Sequence, residues 1–231
     1  MIRVLVCDDH QIVRQGLRQM LADANDGASA AGGEGIAVAA EADRGAEAVR
    51  LVRALHAQKT PIDVVLMDIA MPQRDGLDVL KQLKGEFPKL AVLMLSTFPD
   101  KQYAVRCLKL GAAGYLNKSA DSEQMSAAIR KVAAGGLFIT PVVAEQLAGA
   151  LSVKALGKAG DEAAPHERLS HREYQVLRLL AAGRSVGEIA EQLSLASNTI
   201  STYRARILEK TGARNDVELA LYAVRQELQP L

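Results

Sequence analysis

The chain has 231 residues, 49% of them hydrophobic but only 3% aromatic, and a formal net charge of +1. Such a length and composition describe a globular protein with one large or two modest cores, and two is the better reading. The near-neutral balance excludes a strongly basic protein that coats DNA without preference, so any basic surface must be local.

Cys7 and Cys107 are too few for a disulfide framework and suggest a reducing compartment. The start, MIRVLVCDDH, turns acidic too early for a signal peptide. No apolar run approaches the ~20 residues of a membrane span. A cytoplasmic protein without membrane contact is expected.

Short apolar strands are predicted at Ile2 to Cys7, Ile36 to Ala40, Ile62 to Met67, Leu90 to Leu95 and Gly114 to Asn117, each followed by helical spacing. Repeated strand-then-helix units imply a parallel sheet with right-handed crossovers. Five units fit an α/β domain of flavodoxin-like type over residues 1–135. Between the first helix and the second strand, Asp23 to Gly35 (DANDGASAAGGEG) is small and glycine-rich, and reads as a mobile loop without function. Gly135 and Gly136 should stop the fifth helix. Residues 136–168 then read as a linker, with Pro141 to Ser152 helical and KALGKAGDEAAPHER flexible.

A second, all-α domain of four helices is predicted over 169–231. Ser170 with Glu173, and Ser185 with Glu188, have capping-box spacing, so helices should begin near 171 and 186. Gly183 fits the stop of the first. In the third helix Ile200, Tyr203, Ile207 and Leu208 share one face, leaving Asn198, Ser201, Thr202, Ala205 and Glu209 on the other. Arg204, Arg206, Lys210 and Arg214 flank that polar face. Hydroxyls and amides edged by cations suit a major groove, with base edges read by the former and phosphates held by the latter. Candidate DNA contacts are Asn198, Thr199, Ser201, Thr202, Arg204, Arg206 and Lys210. An ordinary helical bundle with solvated charges has the same spacing. A fourth helix, about Asp216 to Glu227, carries Leu219, Ala220, Tyr222 and Ala223; it is either a dimer surface or wholly internal.

The chemistry gathers where strands end. VVLMD drives a buried apolar run into Asp68, and VLVCDD ends the first strand on Asp8 and Asp9. Strand carboxyl ends form the ligand crevice of open parallel sheets. Three crowded carboxylates repel one another unless a cation neutralises them. Magnesium, or manganese, suits such hard oxygen ligands and binds carboxylates together with phosphate. Ser96 ends the fourth strand and Lys118 follows the fifth. A phosphoryl group on Asp68 would find its charge offset by the metal and Lys118, and a hydrogen bond from Ser96. Singly, each residue has a plainer role as a cap, turn or solvated group; together they converge on one chemistry. His10 lacks the partners of a zinc site and reads as a helix-start residue, and Cys7 as core.

Two resemblances rest on these residues. The stretch from Leu169, with Glu173, Gly183, Glu188-Ile189-Ala190, Thr199-Ile200 and Arg206 through Lys210, is similar to LuxR-type helix-turn-helix domains over about fifty residues. Ala196 departs from it, standing where a capping serine is usual, and so does Ser201, where relatives carry lysine. Residues 1–135 resemble a receiver domain, and the whole chain resembles two-component response regulators of the NarL/FixJ class. The resemblance implies Asp68 as phosphoacceptor, Asp8 and Asp9 as the acidic pair, Ser96 and Tyr115 as switch residues, and Lys118 as the phosphate-binding lysine. Pro72 and Gly76 match the loop after the acceptor. It further implies a metal bound by Asp9, Asp68 and the backbone carbonyl of Ala70, with Asp8 acting through water. The implied partners are a sensor histidine kinase or phosphotransfer protein, promoter DNA and a second copy of the chain, with room for RNA polymerase.

Two rival readings remain, and only the first uses the same residues. A magnesium phosphatase with an aspartyl intermediate would want an acid/base at Ala70. A constitutive DNA-binding protein would have no need of the Asp8, Asp9, Asp68, Ser96 and Lys118 set.

Overall fold

The computed structural model describes residues 1–30, 34–71, 75–96, 101–140, 143–144, 165–226 and 228, with backbone alone for 26–30, 101–103, 167 and 171. The chain divides into two compact units, Met1–Lys158 and Ala159–Leu231.

In the first unit β1 (Ile2–Cys7), β2 (Ile36–Ala42), β3 (Val64–Asp68), β4 (Ala91–Ser96) and β5 (Gly114–Asn117) form one sheet in the order β2-β1-β3-β4-β5. All four pairings are parallel. Every residue of β3 and β4 is buried, as their unbroken apolar sequences require of strands covered on both faces. The helices are α1 (Gln11–Ala30), α2 (Gly45–Ala57), α3 (Gly76–Glu86), α4 (Lys101–Lys109) and α5 (Ser122–Ala133). Leu17 and Leu21 of α1 and Met125, Ile129 and Val132 of α5 join Val4, Val6, Leu66 and Leu93 in one core. Alternate strand residues face that core because strand side chains point to opposite faces in turn.

The expected loop from Asp23 is largely helix: α1 continues to Ala30. Alanine favours helix strongly enough to carry the backbone through, and Gln19 Nε2 donates to Asp23 Oδ1 one turn on, at 2.7 Å. Asn25 then ties α1 to β2. Its Nδ2 donates to the Ile36 carbonyl at 2.6 Å, and its Oδ1 accepts from the Ile36 N–H at 2.8 Å. Residues 31–33 lie outside the described residues.

Asp75 caps α3, its side chain accepting from the Leu77 N–H. The next residue has no room for a side chain: a Cβ on Gly76 would lie 2.1 Å from the carbonyl oxygen of Asp68. Gly76 therefore lets α3 start directly behind Asp68. After α5, Gly135 adopts φ +82°, the left-handed turn expected from the double glycine.

The second unit opens with a 3-10 turn, Pro165–Arg168, where the sequence reads as flexible linker. His166 explains the order: its backbone N–H donates to the Tyr222 hydroxyl at 3.1 Å, and its Nδ1 lies 2.9 Å from the same oxygen. Of the helix expected over Pro141 to Ser152, only Val143 and Ala144 are described, and both are helical. The remaining linker residues up to Ala164 lie outside the described residues.

Four helices follow, α6 (His171–Ala181), α7 (Val186–Gln192), α8 (Ser197–Thr211) and α9 (Asp216–Arg225). Both capping boxes form, Ser170 with Glu173 and Ser185 with Glu188. Gly183 takes φ +80° after α6. Leu177, Ile189, Ile200, Ile207 and Leu219 are fully buried, one or more from each helix. No side-chain hydrogen bond caps α8 at Ala196, and neither Ser194 nor Ser197 takes the role.

Candidate phosphoacceptor and DNA-reading sites

The acidic cluster forms because three chain segments end at the same edge of the sheet. Register places Cys7 beside Met67 and Asp68 beside Leu95, so Asp8 and Asp68 emerge together. The Asp8 N–H donates to the Ala42 carbonyl at 3.2 Å, and Arg14 Nη1 to the Asp8 carbonyl at 2.8 Å, fixing the turn into α1. Asp8 and Asp68 are almost wholly buried, and Asp9 is partly exposed.

Lys118 is the cation set against them. Its Nζ lies 2.5 Å from Asp8 Oδ2 and 3.0 Å from Asp68 Oδ1. The Lys118 N–H donates to the Ser96 carbonyl at 2.8 Å, which holds the lysine at the end of β5. Asn117 turns the chain after it, accepting from the Ser119 N–H at 2.8 Å. Burial opposes the charge on Lys118, but the charges of Asp68 and Asp8 outweigh it and raise its pKa. For Asp68 burial dominates and raises the pKa; Lys118 pulls the other way and Asp8 adds to the rise.

One cation does not satisfy three carboxylates. Asp68 Oδ1 also accepts from the Ala70 N–H at 3.2 Å, whereas the buried Asp68 Oδ2 has no hydrogen-bond partner among the described residues. Ligand atoms of Asp8, Asp9, His10 and Asp68 lie within 4.8 Å of one another. An orphan buried carboxylate oxygen facing two further acids fits a hard divalent ion.

Ser96 and Tyr115 are both buried, the first at the end of β4 and the second within β5. Ala70 stands two residues beyond Asp68 and offers no acid. Pro72 lies outside the described residues. Cys7 is core as expected, its thiol 3.4 Å from Met71 Sδ and its pKa raised by burial. His10 starts α1 as expected, its carbonyl accepting from the Val13 N–H at 3.1 Å and the Arg14 N–H at 3.2 Å, and its ring also joins the cluster, its Nδ1 2.9 Å from Asp9 Oδ1. The signal for it was only its adjacency to the acidic pair.

On α8 the polar face stands as its periodicity requires. Asn198, Ser201, Thr202, Ala205, Arg206 and Glu209 are exposed, Thr199 is half-buried, and Ile200 and Ile207 are buried. The Thr202 hydroxyl donates back to the Asn198 carbonyl at 2.9 Å. Two flanking cations are already partnered, which sequence spacing did not reveal. Arg204 Nε donates to Asp216 Oδ1 at 2.7 Å, across the turn into α9. Lys210 Nζ lies 2.7 Å from Glu173 Oε2, in the capping box of α6. Burial works to raise the Glu173 pKa, but Lys210 and the Ser170 N–H prevail and lower it. Arg206 is exposed, and among the described residues no acid pairs with it.

Comparison with known proteins finds a family for each unit. Residues 4–130 match the family model described as response regulator receiver domain, and residues 167–223 the one described as bacterial regulatory proteins, luxR family. The chain is 39% identical over 225 residues to the response regulator GacA of Pseudomonas aeruginosa, covering 97% of this chain and 96% of that one. It is 34% identical over 230 residues to the response regulator UvrY of Escherichia coli, covering 99% and 96%. Among solved structures, the RcsB response regulator of Salmonella typhimurium aligns with TM-score 0.56 and 26% identity over 97% of this chain and 100% of that one. RcsB bound to the rprA promoter with a beryllofluoride phosphomimetic aligns with TM-score 0.51 and 26% identity, covering 96% of this chain and 97% of that one.

Proposed function

The chain belongs to the response regulators that join a receiver domain to a LuxR-family DNA-binding domain, and we propose that phosphorylation of Asp68 controls how it dimerises and binds promoter DNA. It is a transcriptional regulator rather than an enzyme, as its GacA and UvrY relatives are response regulators. The observation that carries the finer reading is the buried Asp68 carboxylate, held by Lys118 and with one oxygen lacking a hydrogen-bond partner among the described residues.

In the transfer, an Asp68 carboxylate oxygen attacks the phosphorus of a phosphohistidine on a kinase or phosphotransfer protein. The phosphorus–oxygen bond forms, the phosphorus–nitrogen bond breaks, and the histidine nitrogen regains a proton. Asp8, Asp9, Asp68 and the Ala70 carbonyl would hold magnesium or manganese, which supplies charge neutralisation for the incoming phosphoryl group. Lys118 meets the new phosphoryl charge from the other side, and Ser96 supplies a hydroxyl donor. A tenfold change in active population needs only ~1.4 kcal/mol of preference between two receiver states, with Ser96 and Tyr115 marking which is occupied.

A second copy of the chain is the partner that α9 fits. Its inner side buries Leu219 and Ala223, while Val217, Leu221 and Val224 stand 70%, 52% and 75% exposed. Residues at this spacing form one apolar stripe. Glu218 and Arg225 flank it with opposite charges, so a two-fold antiparallel pairing is self-complementary. Two copies would present two α8 helices to half-sites one turn of DNA apart. Asn198, Thr199, Ser201 and Thr202 are the proposed base-reading residues and Arg206 the phosphate contact. Arg204 and Lys210 already share their donors with Asp216 and Glu173, so any phosphate contact they make competes with those pairs. This regulator works in the cytoplasm, and RNA polymerase is a partner open to a promoter-bound dimer.

Fluorescence anisotropy tests the function. The labelled duplex is one selected from a random-sequence pool by the wild-type protein. Acetyl phosphate with magnesium should tighten wild-type binding about tenfold and leave Asp68→Asn unchanged. Equal tightening of both proteins would contradict control through Asp68.

A further inference from the structure

β5 lies at one edge of the sheet, yet that edge is not bare. Past α5, the turn at Gly135 and Gly136 sends the chain back along β5, where Phe138 forms an isolated parallel bridge with Gly114. The Phe138 N–H donates to the Ala113 carbonyl at 2.9 Å, and the Tyr115 N–H donates to the Phe138 carbonyl at 3.4 Å. The two bonds straddle Gly114, as a short added strand would.

The site is shaped for this contact. A Cβ on Gly114 would lie 2.7 Å from the Phe138 carbonyl oxygen and 2.8 Å from Leu93 Cδ1, so only glycine admits the approach. The Phe138 ring packs against the core, with Lys131 Nζ 6.0 Å from the ring centre. Two residues on, the Thr140 carbonyl accepts from the Ala144 N–H at 3.0 Å. One peptide therefore shares a hydrogen bond with Tyr115 and belongs to the segment that leads to the DNA-binding helices.

We propose that Phe138 is the joint through which the receiver controls the linker: the isolated backbone bridge across Gly114 pins the start of the linker beside β5, coupled to the position of Tyr115. The proposal rests on the phosphorylation reading above and adds the residue that passes the change along the chain. Phe138 touches neither phosphate nor DNA; it is a positioning residue. A movement of β5 at Tyr115 strains the longer bond, and the linker start is freed or re-seated with it.

Full-length Phe138→Pro removes the N–H that Ala113 accepts, and Phe138→Leu keeps both backbone bonds and an apolar side chain. Each is treated with acetyl phosphate and magnesium, weighed intact, and titrated with the selected duplex. Phe138→Pro should take up one phosphoryl group as wild type does, yet lose the roughly tenfold gain in DNA affinity to within about twofold; Phe138→Leu should keep it. Full gain in phosphorylated Phe138→Pro would overturn the proposal. Wild type that is phosphorylated without any gain would overturn the underlying reading and the joint with it. A second measurement needs no variant: hydrogen exchange at the Phe138 amide should differ at least about threefold between mass-verified wild-type states, with Val4 to Val6 unchanged. Identical Phe138 protection in the two states would likewise sink the joint.

Discussion

The raised pKa of Asp68 predicts that its charged carboxylate weakens the fold at neutral pH. Burial raises its pKa, Asp8 raises it further, and Lys118 offsets these only in part. With the folded pKa above the unfolded one, the folded chain holds this proton more tightly. Its contribution to stability is fully present below the unfolded pKa and is lost as pH rises through the folded pKa. Asp68→Asn should therefore stabilise the unmodified protein at neutral pH by about 1 kcal/mol, and the advantage should vanish well below pH 3.8, the ordinary value for the group. Urea denaturation at both pH values checks this; a destabilised variant at neutral pH would mean that the pair with Lys118 is net favourable. Lys118→Met should do the reverse, costing about 3 kcal/mol because it leaves Asp8 and Asp68 buried without their cation. Saturating magnesium should restore part of that loss, since an ion that binds only the folded chain stabilises it.

At the scale of elements, local chemistry decided how much could be read in advance. The strands and the starts of α6 and α7 were legible because apolar runs and serine–glutamate spacing each have one local meaning. The Asp23 segment was not, because glycine argued for a loop while alanine and the Asn25 clamp on Ile36, a tertiary contact, carried the helix onward. Convergence of Asp8, Asp9, Asp68, Ser96 and Lys118 followed from parallel topology alone, but the Arg204–Asp216 and Lys210–Glu173 pairs depend on how helices pack. Gly76→Ala should destabilise the first unit by about 1 to 3 kcal/mol through the clash with the Asp68 carbonyl, read by thermal unfolding. Ala196→Ser should supply the missing cap of α8 and stabilise it by about 1 kcal/mol. Slower hydrogen exchange of the first α8 amides is the sign of that cap, and unchanged exchange would show that the added hydroxyl does not accept from them.

Across the whole molecule, the proposed function requires that a charge at Asp68 change what α8 and α9 do. If α9 pairs two copies, Leu221→Glu should leave phosphorylation intact but hold the phosphorylated chain monomeric in sedimentation, with DNA affinity lower by at least about tenfold. A dimer that survives the substitution would move the interface off α9. All of this depends on one covalent event. The most direct measurement is the intact mass of wild type and Asp68→Asn after incubation with acetyl phosphate and magnesium. A single added phosphoryl group on wild type alone is the predicted result; addition to both proteins, or to neither while both are folded, would contradict the assignment of Asp68 as the phosphoacceptor.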